Sequence, residues 1–194
     1  MSRRQNSIPA RYFEDLYAGE RDPWEFETSA YEQAKYDATL AALPRPRYRR
    51  GLEIGCSIGV LTARLVGRCA SLVAVDVSEK ALNAARVRCW TLPNVAFENM
   101  SVPAEWPAGT FDLIMLSEVV YYLDAGDVSR LADRVRASVE PGGHAILVHW
   151  TGTTDYPLSG DDAAELFMTA LGRSARRIRQ QRTPAYRLDA LALP

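Results

Sequence analysis

The chain of 194 residues carries 23 Lys and Arg against 24 Asp and Glu, a formal net charge of −1, and is 47% hydrophobic and 24% charged. That balance is the one of a soluble globular domain and excludes a disordered chain, a collagen and a small disulfide scaffold. The length suits one compact domain with a full core, and near-neutrality gives the chain as a whole no pull toward nucleic acid or an anionic membrane.

The opening Met1-Ser2-Arg3-Arg4-Gln5-Asn6 is polar and lacks the apolar stretch of a secretory signal, so a cytoplasmic protein is expected. Residues 10–43 read as two helices. Tyr12, Phe13, Leu16 and Tyr17 recur at helical spacing before Gly19 and Pro23 interrupt them. Ser29-Ala30-Tyr31-Glu32 has the form of a capping box, with Ser29 satisfying free amides and Glu32 reaching back. The helix it opens is predicted to run to about Leu43, where Pro44 and Pro46 stop it, and the arginine-rich residues 44–50 read as a connector.

From there strands alternate with helices. Strands are predicted at 51–54, 71–75, 95–98, 111–116 and 144–150, and helices at 60–68 and 79–90. A further helix carries Val128, Leu131, Val135 and Val139 on one face and ends in a Pro141-Gly142-Gly143 turn. This alternation predicts a parallel sheet with helices on both faces. The tail departs from it. A helix at 161–172 puts Ala164, Phe167, Met168 and Leu171 on one face, and strands at 176–182 and 186–193 follow, joined by Thr183-Pro184-Ala185. So short a link carries no parallel crossover, which predicts an antiparallel hairpin at one edge. The longest apolar run, Phe111 to Val120, is broken by Asp112, Ser117 and Glu118 and is too short to span a bilayer.

Cys56, Cys69 and Cys89 show no CxxC spacing, and His144 and His149 belong to no HExxH pattern, so neither a disulfide framework nor a metal is expected. Charge is unevenly distributed. Residues 89–129 contain no Lys or Arg but six acids: Glu98, Glu105, Asp112, Glu118, Asp124 and Asp127. Arginines gather at 45–50 and along 173–187, where on an edge strand they discourage pairing with other chains.

Ligands of an open parallel sheet bind outside the carboxyl ends of its strands. The first strand ends in Glu53-Ile54-Gly55-Cys56-Ser57-Ile58-Gly59, whose glycines let backbone approach a ligand closely. The second ends in Asp76, seventeen residues after Gly59, an acid suited to both hydroxyls of a ribose. Neither GxGxxG nor a Gly-Lys-Ser/Thr loop is present, and Glu53 repels a pyrophosphate but suits a cationic ligand. The residues therefore point to a nucleoside-containing cofactor without a phosphate cradle.

Leu52-Glu53-Ile54-Gly55-Cys56-Ser57-Ile58-Gly59 resembles the glycine-rich motif of class I S-adenosylmethionine-dependent methyltransferases. Phe111-Asp112-Leu113-Ile114, Ser117 to Leu123 and Pro141-Gly142-Gly143-His144 are similar to its later motifs, in the same order. Within that superfamily, Asp22-Pro23-Trp24, the helix from Tyr31 to Leu40, Gly51 to Cys56 and Glu118 to Leu123 resemble the nodulation protein S (NodS)-like N-methyltransferases. The resemblance implies an α/β, Rossmann-like doubly wound, mostly parallel seven-stranded sheet with an antiparallel C-terminal hairpin. It also implies an N-terminal helical lid over 1–43, within the same domain as a methyltransferase core over 44–194.

The resemblance further implies S-adenosyl-L-methionine as cofactor, leaving S-adenosyl-L-homocysteine. Gly55, Cys56 and Gly59 then flank its methionine part, Glu53 holds the loop or the amino group, Asp76 binds the ribose and Val77 lies against the adenine. No Asp stands where family members place one for the adenine amine, which leaves Asn99, Met100 or Ser101 for that contact. Ser117 neighbours the methionine moiety, and Trp24, Tyr31 and Lys35 belong to the lid, Lys35 as partner of the cofactor carboxylate.

Methyl transfer needs positioning, exclusion of water and a neutral nucleophile. Glu118 and His149 are the candidate bases, and Tyr121 and Tyr122 the candidates for orienting an amine or stacking on a sugar. The expectation is a small-molecule N-methyltransferase, of an amino sugar or other amine, acting as a monomer or homodimer without nucleic acid or membrane. The alternatives are an O-methyltransferase of a hydroxyl or carboxylate, a non-catalytic cofactor-binding protein and, more distantly, an NAD-dependent dehydrogenase.

Overall fold

The computed structural model describes residues 3–194, so the first two residues of the predicted lid lie outside the described chain. Helices α1 (Ala10–Gly19) and α2 (Ala30–Ala41) precede strand β1 (Tyr48–Ile54). Helix α3 (Val60–Leu65), β2 (Cys69–Asp76), α4 (Glu79–Arg88), β3 (Val95–Asn99) and β4 (Phe111–Ser117) follow. Helix α5 (Ala125–Ser138), β5 (Val139–Trp150), α6 (Gly160–Leu171), β6 (Arg176–Arg182) and β7 (Tyr186–Ala192) complete the chain.

The strands form one seven-stranded sheet in the order β3-β2-β1-β4-β5-β7-β6. Strands β1 to β5 pair in parallel, and β7 runs antiparallel to both β5 and β6, as the short 183–185 link requires. The expected doubly wound sheet with its C-terminal hairpin is therefore the observed fold. The parallel strands are apolar on both sides because helices cover both. On one face Leu52, Ile54, Ile114 and Leu116 meet α5 and α6 through Leu131, Val135 and Phe167. On the other, Leu113, Met115, Ile146 and Val148 meet α1, α2 and α3 through Tyr17, Tyr36, Leu61 and Leu65.

Some boundaries differ from the sequence reading. Strand β1 starts at Tyr48, inside the presumed connector, because the buried Asp112 carboxylate accepts the amides of Arg49 (2.8 Å) and Arg50 (2.9 Å) and draws them into the sheet. Helix α5 stops at Ser138, and Val139 pairs with Phe111 as the first residue of β5. The expected turn at 141–143 is carried inside β5 as an irregularity, with Gly142 at φ +73° and His144 paired to Leu113. Ser29 caps α2 by accepting the Glu32 amide, but Glu32 does not reach back, because its carboxylate accepts from Lys35 at 2.9 Å.

Candidate functional site

The strand order reverses between β1 and β4, and a cavity of about 380 Å³ opens at the carboxyl ends of β1, β2 and β4, where an open α/β sheet binds ligands. Its floor is the loop from β1 to α3. The amides of Gly55 and Cys56 donate to the Val75 carbonyl (2.8 and 3.1 Å), which folds the loop back over β2. Gly55 (φ +75°), Ser57 (φ +52°) and Gly59 (φ +79°) all take the left-handed conformation. At Gly55 a Cβ would stand 2.2 Å from the Val119 Cγ2, so only glycine fits between the loop and the end of β4.

Two acids sit in this floor. Asp76 accepts the amides of Ser57 (2.8 Å) and Ser78 (2.9 Å), fastening the loop to the start of α4. Burial pushes its carboxyl above the ordinary range, with those amides working against the shift. Glu53 is fully buried and its Oε2 has no hydrogen-bond partner among the described residues. Burial pushes its carboxyl up to about 8, with Asp76 adding to the effect and Thr62 opposing it.

The roof comes from the N-terminal helices. The Asp22 side chain accepts the amides of Phe26 and Glu27, both at 2.9 Å, and so sets the turn that carries Trp24. Trp24 stacks on Phe26 and meets Tyr17 edge-on, while the Tyr17 hydroxyl bonds that of Ser57. Lys35, 2% exposed, donates to Glu32 (2.9 Å) and across the cavity to Glu118 (2.6 Å), with its ammonium 5.0 Å above the Tyr31 ring. The remaining oxygen of Glu118 accepts the Tyr121 hydroxyl (2.7 Å) and the Trp150 amide (2.9 Å). Burial favours protonation of Glu118, but Lys35, His149 and the Trp150 amide together outweigh it and hold the carboxyl below its usual range. Glu118 itself sits at φ +56°, a conformation that a non-glycine residue keeps only where surrounding contacts enforce it.

Beyond Glu118 the wall is aromatic. Tyr122 meets Phe13, Tyr121 and Tyr156 at centroid distances of 4.9, 4.6 and 4.7 Å. The segment before α1 closes this end. The Ile8 amide donates to the Tyr122 carbonyl (2.8 Å), the Ser7 amide donates to Asp124 (3.3 Å), and the Ser7 hydroxyl donates to Asp127.

Of the residues singled out from the sequence, Trp24, Tyr31, Lys35, Glu53, Gly55, Cys56, Asp76, Val77, Met100, Ser101, Ser117, Glu118, Tyr121 and Tyr122 all line the cavity. Three stand outside the lining. Gly59 lets α3 approach α4, since a Cβ there would come within 3.0 Å of Ala85. The Asn99 amide is spent on the carbonyls of Asp76 (3.1 Å) and Val77 (3.0 Å). His149 is 1% exposed, and its Nε2 accepts the Val120 amide at 3.1 Å. Burial pushes the imidazole down to about 4. The acid-only stretch also divides. Glu118 faces the cavity, whereas Asp112 lies at the opposite end of β4, and the positive charge missing from 89–129 is brought in by Lys35 from α2. Ile8, Phe13, Tyr17, Ser57 and Tyr156 line the cavity without having been singled out. Helical spacing marked Phe13 and Tyr17, but only the tertiary fold carries them to the site.

A family model described as Nodulation protein S (NodS) matches residues 13–141. The chain belongs to the NodS family. It is 35% identical over 103 residues to a Nodulation protein S of Bradyrhizobium diazoefficiens, covering 53% of this chain and 49% of that one. The chain thus spans about half the length of the curated NodS relatives it matches. Among solved structures, N-methyltransferase NodS from Bradyrhizobium japonicum WM9, in complex with S-adenosyl-L-homocysteine, superposes with a TM-score of 0.78 at 22% identity, over 95% of this chain and 98% of that one. A provisionally assigned methyltransferase from Pseudomonas syringae gives 0.72 at 38% identity, over 84% and 99%. The NodS fold is accordingly shared along nearly the whole chain.

Proposed function

We propose that this NodS-family chain is an S-adenosylmethionine-dependent methyltransferase that methylates the nitrogen of a small-molecule amine. The observation that carries the reading is the charge of the cradle. Two acids, Glu53 and Asp76, are set into its floor, and the loop amides of Gly55, Cys56 and Ser57 are already taken by Val75 and Asp76. Such a floor repels a pyrophosphate and withholds its loop amides from one, but it suits a nucleoside that carries positive charge. The unpartnered Glu53 oxygen fits an amino-acid portion bearing an ammonium group. The family relationship and the superposition on a NodS complex with S-adenosyl-L-homocysteine support the same cofactor.

Bound S-adenosylmethionine supplies an electrophilic methyl group on a sulfonium. The protein's part is to hold, orient and dry the reactants. Asp76 accepts from the ribose hydroxyls, Glu53 takes the ammonium, and backbone and side chains at Val77, Met100 and Ser101 bracket the base. The residues 3–43 that cover the cavity act as a lid on the core that follows. Glu118 is an anion with both oxygens engaged, so it serves to position Tyr121 and the lid through Lys35, and not to collect a proton. His149, with its Nε2 bonded to a backbone amide, supports that arrangement from behind. The apolar wall of Phe13, Tyr121, Tyr122 and Tyr156 favours the neutral form of an amine by desolvation, which makes its lone pair available. A cytoplasmic enzyme acting on a soluble amine, as monomer or homodimer, is the corresponding setting.

Calorimetry with S-adenosyl-L-homocysteine and with NAD tests the reading. One-to-one binding of the first and none of the second is expected. The reverse result overturns it.

A further inference from the structure

Within the cofactor site, Glu53 stands apart from every other buried acid. On β1, Leu52 and Ile54 belong to the core on the α5–α6 face, so alternation turns Glu53 to the opposite face, under α2 and α3. It pairs in register with Ala74 on β2 and Met115 on β4, which offer it nothing polar beyond backbone. The titratable and polar groups that act on it or feel it are Thr62 on α3, Asp76 and Cys69 on β2, Tyr36 on α2, Cys56 in the loop and Cys89 after α4. Not one of these is a cation. Lys35, one residue before Tyr36, is committed to Glu32 and Glu118. Among the described residues, Glu53 is therefore a buried carboxyl in the floor of a cavity, with a free oxygen, an acid for its charged neighbour and no counter-ion.

A carboxylate so placed is costly until a cation arrives. Accepting the proposed cofactor, we propose that Glu53 is uncharged in the ligand-free site and becomes a carboxylate when the cationic ligand binds, so that each binding event expels one proton to solvent. In balance, the Glu53 carboxyl loses its proton to buffer and its carboxylate pairs with the ligand ammonium, which keeps all of its own protons. The burial that pushes this group upward acts in the same direction. Affinity then depends on pH by linkage, rising about tenfold per unit while Glu53 must be deprotonated and levelling off above its ligand-free value.

The test is calorimetry of the full chain with S-adenosyl-L-homocysteine, near neutral pH, in two buffers of different ionisation enthalpy. Wild-type protein is expected to release close to one proton per ligand, and Glu53→Gln close to none. Ligand binding with no proton release by wild type overturns the proposal and leaves the cofactor reading standing. Undiminished release by Glu53→Gln assigns the proton to another group and also overturns it. No binding of S-adenosyl-L-homocysteine overturns both. Should Glu53→Gln not fold, wild-type affinity measured from below to above pH about 8 decides: a rise that levels off supports the proposal, and a flat profile overturns it.

Discussion

Replacing Lys35 with methionine keeps the length and most of the apolar stem of the side chain but removes the cation shared by two buried carboxylates. The Lys35 ammonium is 2% exposed, while its partners Glu32 and Glu118 are 9% and 14% exposed, at 2.9 and 2.6 Å. Breaking one side of a buried pair leaves an uncompensated charge and costs about 3–5 kcal/mol, against under about 1 kcal/mol for an exposed pair. Equilibrium urea unfolding reads this directly. With a slope of about 2 kcal/mol per molar, the Lys35→Met midpoint is expected to fall by about 1.5–2.5 M. Adding Glu118→Gln removes the stranded carboxylate, so the double variant is expected to be more stable than Lys35→Met alone. Glu118 is held below its ordinary value, so its contribution is present at neutral pH and is lost as pH falls below the usual carboxylate range; Lys35→Met should lose that acid-side slope. A cost under about 1 kcal/mol, or no recovery in the double variant, would refute the view that this contact fastens the lid to the end of β4.

Further outcomes follow from the same geometry. Gly55→Ala places a methyl 2.2 Å from Val119 at φ +75° and should cost about 1–3 kcal/mol in thermal or urea unfolding and weaken ligand binding, with Val119→Ala restoring the steric part only. Asp76→Asn keeps the side-chain shape but leaves one acceptor oxygen for the Ser57 and Ser78 amides and removes the acid; binding of S-adenosyl-L-homocysteine by calorimetry should weaken about tenfold to a hundredfold. His149, pushed down to about 4 while the unfolded residue titrates near 6.5, binds fewer protons in the native state. Stability should therefore fall as pH drops from about 6.5 to about 4, by about 2–4 kcal/mol, and His149→Gln should flatten that fall in pH-dependent unfolding curves.

Local sequence carried the parts of this architecture that local physics decides. Gly55 and Asp76 could be placed at strand ends because strand, glycine loop and helix alternate, and the hairpin followed from a link of three residues. What was not legible depends on residues far apart in the chain. Arg49 and Arg50 read as connector until Asp112, some sixty positions on, is seen to accept their amides. Lys35 could be placed on the second N-terminal helix, but nothing near it in sequence announces its bond to Glu118, 83 residues away. His149 was a candidate base because the end of the fifth strand should bring it near Glu118, Tyr121 and Tyr122. Its burial and its bond to the Val120 amide are properties of the packed sheet. The wall formed by Ile8 and Tyr156 depends on an N-terminal segment pinned by Asp124 and Asp127, which sequence separation hides.

Incubating the protein with S-adenosylmethionine labelled in its methyl group, across a panel of primary amines and matched hydroxyl compounds, tests the central claim most directly. Label is expected on the nitrogen of at least one amine, with S-adenosyl-L-homocysteine formed in equal amount. Label on hydroxyl acceptors alone would contradict the choice of nitrogen, and cofactor binding with no transfer to any acceptor would contradict the assignment as an enzyme.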